Sequence, residues 1–456
     1  IKRKGRKKVS AKRQTADQVT QQYLRQARSS HNGRGISRLL PLPCGLVIVV
    51  LALALCFGPH NAFSEQENRL LQLPPIFSWS SLTDGTLSRR LSDFCSDQFP
   101  FRSRFIDAKA RTELLLGKQE NNGILLGQEG YLMARPAYGN ETRQTLRQNA
   151  AYIERLQAAL ERRGVPFSFA AVPRTIDVNL PYLPPLYDPD NDGAVWDWLA
   201  EALTDQNLSP DVLLQPLQRA AAGGAPVYYK TDHHWTSLGA YTAYTALAPL
   251  LGYTPYPKDS FTEQTVSTDF VGTSASSFGL RSIEADIITR YRHAEDTARV
   301  THILQNGTVT RTIAGLYDED ALGKKDQYSL FLGGTSAHIV VEPSDPTLKL
   351  PTLLLIKDSY SNALLPFLAQ HYGTIHVLDP RYSRMPLSMY LKDKQIEAIK
   401  TADILMVDGN ELDAAVEEIR SKGLDVTGVV ADNKNLDDVK NVIRTAIDIY
   451  EDLDIV

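Results

Sequence analysis

The stretch TLLLIKDSYSNALLPFL, residues 352–368, decides the fold class of this chain. It opens with an apolar run typical of a buried strand, and residues 362–368 are typical of a helix as far as Pro366. Asp358 and Ser359 therefore lie at a strand-to-helix turn, at the carboxyl edge of a sheet. A serine there is exposed and close to helix N–H groups, which favour developing negative charge. A helix N-cap is the alternative role for this pair, because Ser and Asp are preferred there.

The alternation of strands and helices continues on both sides of this stretch. Helices are predicted at residues 142–163, 196–203 and 237–251, and strands at 167–173, 211–214, 227–229, 374–379 and 403–411. A hairpin is predicted at residues 121–135. Strands that alternate with helices predict an α/β fold, in which helices cover both faces of a mainly parallel sheet.

A second motif lies in YYKTDHHWTSLGAY, residues 228–241. It places an acid and two imidazoles in consecutive positions, although the chain has only nine histidines. In extended chain, residues two apart share a side, so Asp232 and His234 are expected to face one pocket and His233 to face away. Asp-x-His supplies the carboxylate and the imidazole of a Ser-His-Asp system, in which the imidazole takes the serine proton.

Two other interpretations of this motif remain open. One is a structural loop whose polar side chains bond to the backbone. The other is a metal site that uses Asp232 with His233 or His234. The sequence contains no second cluster that would complete a ligand set, so neither a metal nor a cofactor is predicted.

Together, the motifs DHHW (232–235) and KDSYSNALLPFL (357–368) resemble the DHHW family of bacterial surface proteins. That family is similar to the alginate O-acetylation proteins AlgX and AlgJ. The resemblance therefore implies their SGNH-hydrolase-like fold, a three-layer α/β/α arrangement. The segments GILLGQEGYLMAR (123–135) and AAVPRTIDV (170–178) also resemble that group, and the resemblance covers roughly residues 90–415.

The resemblance implies a catalytic role for three residues. Ser359 aligns with the nucleophile, His234 with the base that takes its proton, and Asp232 with the carboxylate that orients the base. The order acid, histidine, serine agrees with the alginate proteins, and a triad is defined by roles rather than by chain order. His233 stands where the alginate proteins have another residue, which leaves open which imidazole acts.

Six further residues are predicted to bind substrate or to stabilise the oxyanion. They are His233, Trp235, Arg174, Gly334, Arg381 and Asn410. The expected oxyanion donors are the N–H of Ser359 and that of Gly333 or Gly334. The two arginines follow predicted strands at the same sheet edge, and the asparagine ends a predicted strand and could point into the same cleft. Surface salt bridges and a turn position are their alternative roles.

Charge is unevenly distributed along the chain. Residues 1–38 hold twelve of the 49 Lys and Arg residues but one of the 53 acidic residues. Residues 39–57 follow and contain no charged residue. The length of this segment is close to the ~20 apolar residues that a helix needs to span a bilayer. Basic residues on the N-terminal side predict a cytoplasmic N-terminus and an extracellular main domain. A cleaved signal peptide is the competing interpretation. The adjoining span favours lipid over nucleic acid as the partner of the basic segment.

The predicted organisation has five parts. They are a basic cytoplasmic tail (1–38), a transmembrane helix (39–57), a linker (58–90), an SGNH-like extracytoplasmic domain (91–425) and an acidic helical tail (426–456).

Together with the resemblance to the alginate O-acetylation proteins, these features predict a single-pass protein of the cell membrane whose outer domain adds or removes acetyl groups on a cell-surface polysaccharide. An acetyl donor outside the membrane also implies a co-acting transmembrane acyl-exporting protein. The alternative is a catalytically silent glycan-binding or scaffold protein of an envelope assembly. The distance between the hydroxyl of Ser359 and the imidazole of His234 discriminates between the two.

Overall fold

A computed structural model describes most of the chain between residues 41 and 403. The described ranges are 41–64, 69–136, 140–162, 164–185, 187–188, 194–203, 208, 210–294, 298–304, 307–343, 350–382 and 399–403. They fall into two compact units, residues 41–64 with 69–104 and the residues from 105 onward. The predicted basic tail, the acidic tail and Asn410 lie outside the described residues.

In the first unit the described residues form three helices and a small hairpin. The helices are α1 (Pro41–Phe57), α2 (Trp79–Thr83) and α3 (Thr86–Asp97), and β1 (Phe63–Ser64) pairs antiparallel with β2 (Arg69–Leu70). Helix α1 has 17 residues and covers most of the predicted span at 39–57. Among the helices of the described ranges, none has the length and apolar character needed to cross a membrane. The membrane anchor therefore stays a prediction.

Helix α4 (Arg102–Leu115) leads along the chain into the second unit. The further helices are α5 (Asn140–Glu161), α6 (Thr175–Val178), α7 (Ala194–Ala202), α8 (Leu214–Ala222), α9 (Ser237–Leu251), α10 (Thr273–Phe278) and α11 (Ser361–Leu368). The strands are β3 (Glu120–Asn121), β4 (Ile124–Leu126), β5 (Leu132–Ala134), β6 (Phe167–Ser168), β7 (Phe261–Phe270), β8 (Asp286–His293), β9 (Ala298–Ile303), β10 (Val309–Ala314), β11 (His338–Pro343), β12 (Thr352–Ile356), β13 (Thr374–Leu378) and β14 (Ile399–Asp403).

The central sheet has seven described strands in the order β10-β9-β11-β13-β12-β14-β6. Strands β13, β12, β14 and β6 are parallel to their neighbours. Strands β11, β9 and β10 pair antiparallel. The sheet is therefore mixed, and the prediction of a mainly parallel sheet is wrong for β11, β9 and β10. The reason is local, since β9 and β10 follow each other without a helix, and a short turn can join only antiparallel strands.

Different helices cover the two faces of this sheet. Leu353 and Leu355 lie on one face of β12 and belong to the main apolar cluster, which includes Leu247 of α9 and Leu364 of α11. Ile356 points to the opposite face, because side chains alternate along a strand, and packs on a second cluster formed by α5 and α7. The prediction that helices cover both faces is confirmed for the described residues.

Most predicted elements lie near their predicted positions. Helix α9 has the predicted bounds, and β4 and β5 form the predicted hairpin. The strand predicted at 211–214 is wrong, because these residues form a turn that enters α8. Leu213 and Leu217 are both fully buried, and this spacing of four is the helical period that overrides the short apolar run.

Candidate active site

A tight loop, residues 228–235, carries the Asp-x-His motif. An antiparallel bridge between Tyr228 and Trp235 closes the loop. The carboxylate of Asp286, at the start of β8, accepts the backbone N–H of Thr231 at 2.7 Å and its hydroxyl at 2.6 Å. The antiparallel strand pair β7–β8 therefore holds this loop in place through Asp286. No sequence motif indicated this role for Asp286.

The buried carboxylate of Asp232 accepts four hydrogen bonds. Its Oδ1 accepts from Nδ1 and from the backbone N–H of His234, at 2.6 and 3.0 Å. Its Oδ2 accepts from the backbone N–H and the hydroxyl of Thr273, at 2.7 and 2.9 Å. Burial opposes ionisation, but the adjacent His233 and His234 and these hydrogen bonds outweigh it. The pKa of Asp232 is therefore held well below its ordinary value. An ionised carboxylate only accepts, so it fixes the proton of His234 on Nδ1.

The other ring nitrogen of His234 faces the predicted nucleophile. His234 Nε2 lies 2.7 Å from Ser359 Oγ, although the two residues are 125 positions apart. Burial, and then the neighbouring His233, lower the pKa of His234 to about 4, against the opposing effect of Asp232. The imidazole is therefore neutral near pH 7 and can accept the serine proton. The short distance favours the enzymatic interpretation over the silent binding protein.

This pKa leads to a prediction for the pH dependence of esterase activity. Below its pKa, His234 carries a second proton and cannot accept the proton of Ser359. We therefore expect kcat/KM for a chromogenic acetyl ester to be half-maximal near pH 4 and level between about pH 5 and 7. Circular dichroism at each pH separates this titration from acid unfolding. A midpoint at the ordinary histidine value of 6.5 would contradict the prediction.

Ser359 lies on the predicted turn between β12 and α11. The side chain of Asp358 shapes this turn by accepting the N–H of Tyr360 at 3.0 Å. The indole N–H of Trp235 donates to the carbonyl of Tyr360 at 2.9 Å and is fully buried. The predicted substrate-binding role of Trp235 is therefore corrected, since its indole ties the two motif loops together inside the core.

The backbone around Ser359 offers one of the predicted oxyanion donors. The N–H of Ser359 has no acceptor within the described part of the chain. Gly334 adopts a positive φ of 91°, and its N–H already donates to the carbonyl of Phe331 at 3.2 Å. The prediction of Gly334 as an oxyanion donor is therefore wrong, because the turn after Phe331 uses this N–H.

Both predicted arginines form an ion pair with a neighbouring carboxylate. Arg174 is almost fully buried and forms an ion pair with Asp177 at 2.6 Å. Arg381 donates from Nε and Nη2 to the two carboxylate oxygens of Asp379, each at 2.8 Å. Both guanidinium groups are thus committed to neighbouring carboxylates, and their predicted substrate-binding roles are corrected. The role of Asn410 stays a prediction.

A buried lysine that sequence reasoning missed closes the nucleophile turn. Lys357 Nζ donates to Asn362 Oδ1 at 2.6 Å and lies 3.7 Å from Asp379 Oδ2. Burial lowers the pKa of Lys357 to about 8, although Asp379 opposes the shift. The side chain bridges the two ends of the turn that presents Ser359.

Tyr328 is a second residue that the sequence did not indicate. Its ring stacks on the imidazole of His234, with centroids 3.8 Å apart and planes 10° apart. Its hydroxyl donates to the carbonyl of Ser359 at 3.3 Å. One buried side chain therefore orients both the base and the nucleophile turn, from a segment that carries neither motif.

The orientation predicted for His233 is wrong. Its ring lies 3.8 Å from that of His234, and its Nδ1 lies 3.7 Å from Asp232 Oδ1. The two-residue alternation applies to extended chain, whereas residues 230–234 form consecutive bends. Both imidazoles therefore lie on the same side of the loop, next to the carboxylate.

Donor atoms of Asp232, His233 and His234 lie within 4.8 Å of one another, a spacing compatible with a metal ion. Both nitrogens of His234 already have partners, Asp232 on one side and Ser359 on the other. A metal would have to displace one of these hydrogen bonds. The donor set therefore fits a proton relay better than a metal centre.

Gly272 approaches the carboxylate of Asp232 so closely that a side chain has no room. A Cβ at this position would lie 2.3 Å from Asp232 Oδ2. We expect Gly272→Ala to displace the carboxylate, to lower esterase kcat by at least about tenfold and to destabilise the fold by about 1–3 kcal/mol. Urea unfolding and steady-state kinetics measure both effects.

Gly323→Ala is the matched control, since a Cβ there meets nothing within 4 Å. It should leave both quantities unchanged. Wild-type kinetics in the Gly272→Ala variant would show that the carboxylate tolerates displacement.

Comparison with known proteins shows what this chain is similar to. Residues 215–378 match the family described as DHHW protein. A curated relative, the probable alginate O-acetylase AlgJ of Pseudomonas fluorescens, is 27% identical over 186 residues. That match covers 39% of this chain and 46% of the relative, so the chain spans less than half of it.

Two solved structures share the α/β fold. One is a DHHW family protein from Eubacterium siraeum, with a TM-score of 0.50 at 21% identity. The aligned region covers 63% of this chain and 91% of the Eubacterium siraeum chain. The other is Bacillus cereus PatB1, with a TM-score of 0.51 at 21% identity. The aligned region covers 63% of this chain and 96% of the PatB1 chain. The resemblance to the DHHW proteins that the two motifs predict is therefore confirmed, with the family match lying over residues 215–378.

Proposed function

We propose that this chain is a serine-dependent O-acetyltransferase or acetylesterase that acts on a cell-surface polysaccharide through an SGNH-like domain. The observation that carries the proposal is the continuous hydrogen-bonded path from Asp232 through His234 to Ser359 Oγ. The curated relative named as a probable alginate O-acetylase supports acetyl chemistry on a polysaccharide.

The proposed reaction has two steps. Ser359 Oγ attacks the acetyl carbonyl carbon of the donor, its proton passes to His234 Nε2, and the donor's leaving group departs with that proton. The acceptor hydroxyl, or water, then gives its proton to His234 and attacks acetyl-Ser359. The serine oxygen leaves and takes the proton back. Asp232 stabilises the imidazolium in both steps, and the N–H of Ser359 faces the developing oxyanion.

The experiment supplies the purified protein with p-nitrophenyl acetate and cellotetraose. A transferase produces acetylated cellotetraose, which mass spectrometry detects, whereas an esterase produces acetate only. Either result supports the proposed chemistry. A protein that neither releases p-nitrophenol above background nor acetylates the sugar would support the silent binding protein instead.

We also propose that residues 39–57 anchor the chain in the cell membrane with the catalytic unit outside, beside a transmembrane acyl-exporting partner. Cys95 is exposed and tests the orientation. A membrane-impermeant maleimide should label the protein on intact cells, and the Cys95→Ser variant should lose that label. Labelling that requires cell lysis would contradict the proposed orientation.

A further inference from the structure

His233 lies beside the catalytic imidazole but takes no part in the proton path described above. Its side chain is about one-third exposed, whereas the side chains of Asp232 and His234 are buried. Its Nδ1 lies 2.7 Å from the hydroxyl oxygen of Thr273. Among the described residues, its Nε2 has no hydrogen-bond partner.

The hydrogen bonds of Thr273 determine which nitrogen of His233 carries the proton. The hydroxyl of Thr273 has one hydrogen, and it donates this hydrogen to Asp232 Oδ2 at 2.9 Å. The same oxygen must therefore accept from His233, so that Nδ1 of the neutral imidazole is protonated. Nε2 of His233 is left as an unprotonated acceptor.

The position of the two rings shows where this acceptor lies. The Nδ1 atoms of His234 and His233 are 2.6 and 3.7 Å from the same oxygen, Asp232 Oδ1. The ring centroids are 3.8 Å apart, and the planes differ by 36°. Since Nε2 lies across each ring from this end, both Nε2 atoms point away from Asp232. His234 Nε2 meets Ser359 Oγ at 2.7 Å, and the ring of His233 packs directly against the ring of His234.

We propose that His233 Nε2 accepts a hydrogen bond from a sugar hydroxyl and makes the site selective for acceptors with two neighbouring hydroxyls. This inference rests on the proposed acetyltransferase function. In the transfer step one hydroxyl attacks acetyl-Ser359 and gives its proton to His234, while its neighbour donates to His233 and keeps its own proton. Two adjacent imidazole acceptors match two adjacent hydroxyls of a sugar ring.

Two substitutions at this position separate recognition from loop structure. An asparagine amide reaches the position of Nδ1, so His233→Asn keeps a donor for Thr273 but has no acceptor near Nε2. A glutamine carbonyl reaches the position of Nε2, so His233→Gln keeps that acceptor. We expect His233→Asn to lower acetyl transfer to cellotetraose by about tenfold or more, with a raised KM for the sugar. His233→Gln should stay within about threefold of the wild type.

Inactivation by phenylmethylsulfonyl fluoride supplies a readout that needs no sugar. Ser359 attacks the sulfonyl sulfur, its proton goes to His234 and fluoride leaves, so the rate reports the nucleophile alone. Both variants should react within about threefold of the wild type if His233 acts on the acceptor. If His233 only supports the loop through Thr273, the two variants should rank the other way. His233→Asn should then be active, and His233→Gln should be impaired, both in acetyl transfer and in the reaction with the sulfonyl fluoride.

The outcomes distinguish this inference from the function on which it rests. A wild-type protein that transfers acetyl groups, together with an equally active His233→Asn variant, would overturn the role of His233 alone. A wild-type protein that reacts with the sulfonyl fluoride but acetylates no sugar would overturn the proposed transfer, and the acceptor role of His233 with it.

Discussion

Replacing Ser359 by alanine is expected to lower acetyl-ester turnover by at least about 10³-fold, because the variant has no oxygen within reach of His234 Nε2. The KM should change little, since the removed hydroxyl acts in bond formation rather than in holding the donor. Labelling by phenylmethylsulfonyl fluoride should disappear as well. Steady-state kinetics with p-nitrophenyl acetate and mass spectrometry of the treated protein measure the two effects.

Ser282→Ala is the matched control for this variant. The hydroxyl of Ser282 is exposed, and its partner is Arg111 rather than a residue of the active site. It should retain wild-type turnover and labelling. Undiminished turnover in the Ser359→Ala variant would remove the serine from the mechanism.

Asp232→Asn is expected to reduce kcat by about 10²–10⁴-fold while the fold stays intact. The carboxylate accepts hydrogen bonds on both oxygens, from His234 on one side and Thr273 on the other. An asparagine has one acceptor oxygen. If that oxygen faces Thr273, the amide N–H₂ faces His234 and forces its proton onto Nε2. The imidazole then has no lone pair for the proton of Ser359.

Asp326→Asn separates this effect from a general loss of negative charge. Asp326 raises the pKa of His234 through its charge, and its carboxylate accepts from Ser329 rather than from the imidazole. We expect less than about a threefold change in kcat for this variant. Equal losses in the two variants would mean that charge, and not the tautomer of His234, supports catalysis.

Local sequence was sufficient to predict the acid, the imidazole and the serine that the structure brings together, but not the residues that orient them. The Asp-x-His motif and the serine at the end of β12 could be recognised because each lies within one short segment. Tyr328 stacks on His234, Thr273 donates to Asp232, and Asp286 holds the same loop through Thr231, each from another segment of the chain. None of them lies in a motif, because a residue that supports a site through packing needs only to be near it in space.

The failed predictions have the same origin. Arg174, Arg381 and Gly334 were assigned from their positions after strands or in a glycine-rich turn. Neighbours two or three positions away along the chain, however, already use their donor groups. Proximity to the sheet edge is visible in a sequence, whereas the availability of a donor depends on which partners the folded backbone brings close.

The sequence by itself determined the α/β class, the strand-to-helix turn at Ser359 and the pairing of an acid with a histidine two positions later. These features depend on residue type and short spacing, which act within a few residues. Only the tertiary structure decided that the hydroxyl meets His234 rather than His233, and that both imidazoles share one side of Asp232. Those outcomes depend on a bent loop held by distant side chains, and no local pattern records such contacts.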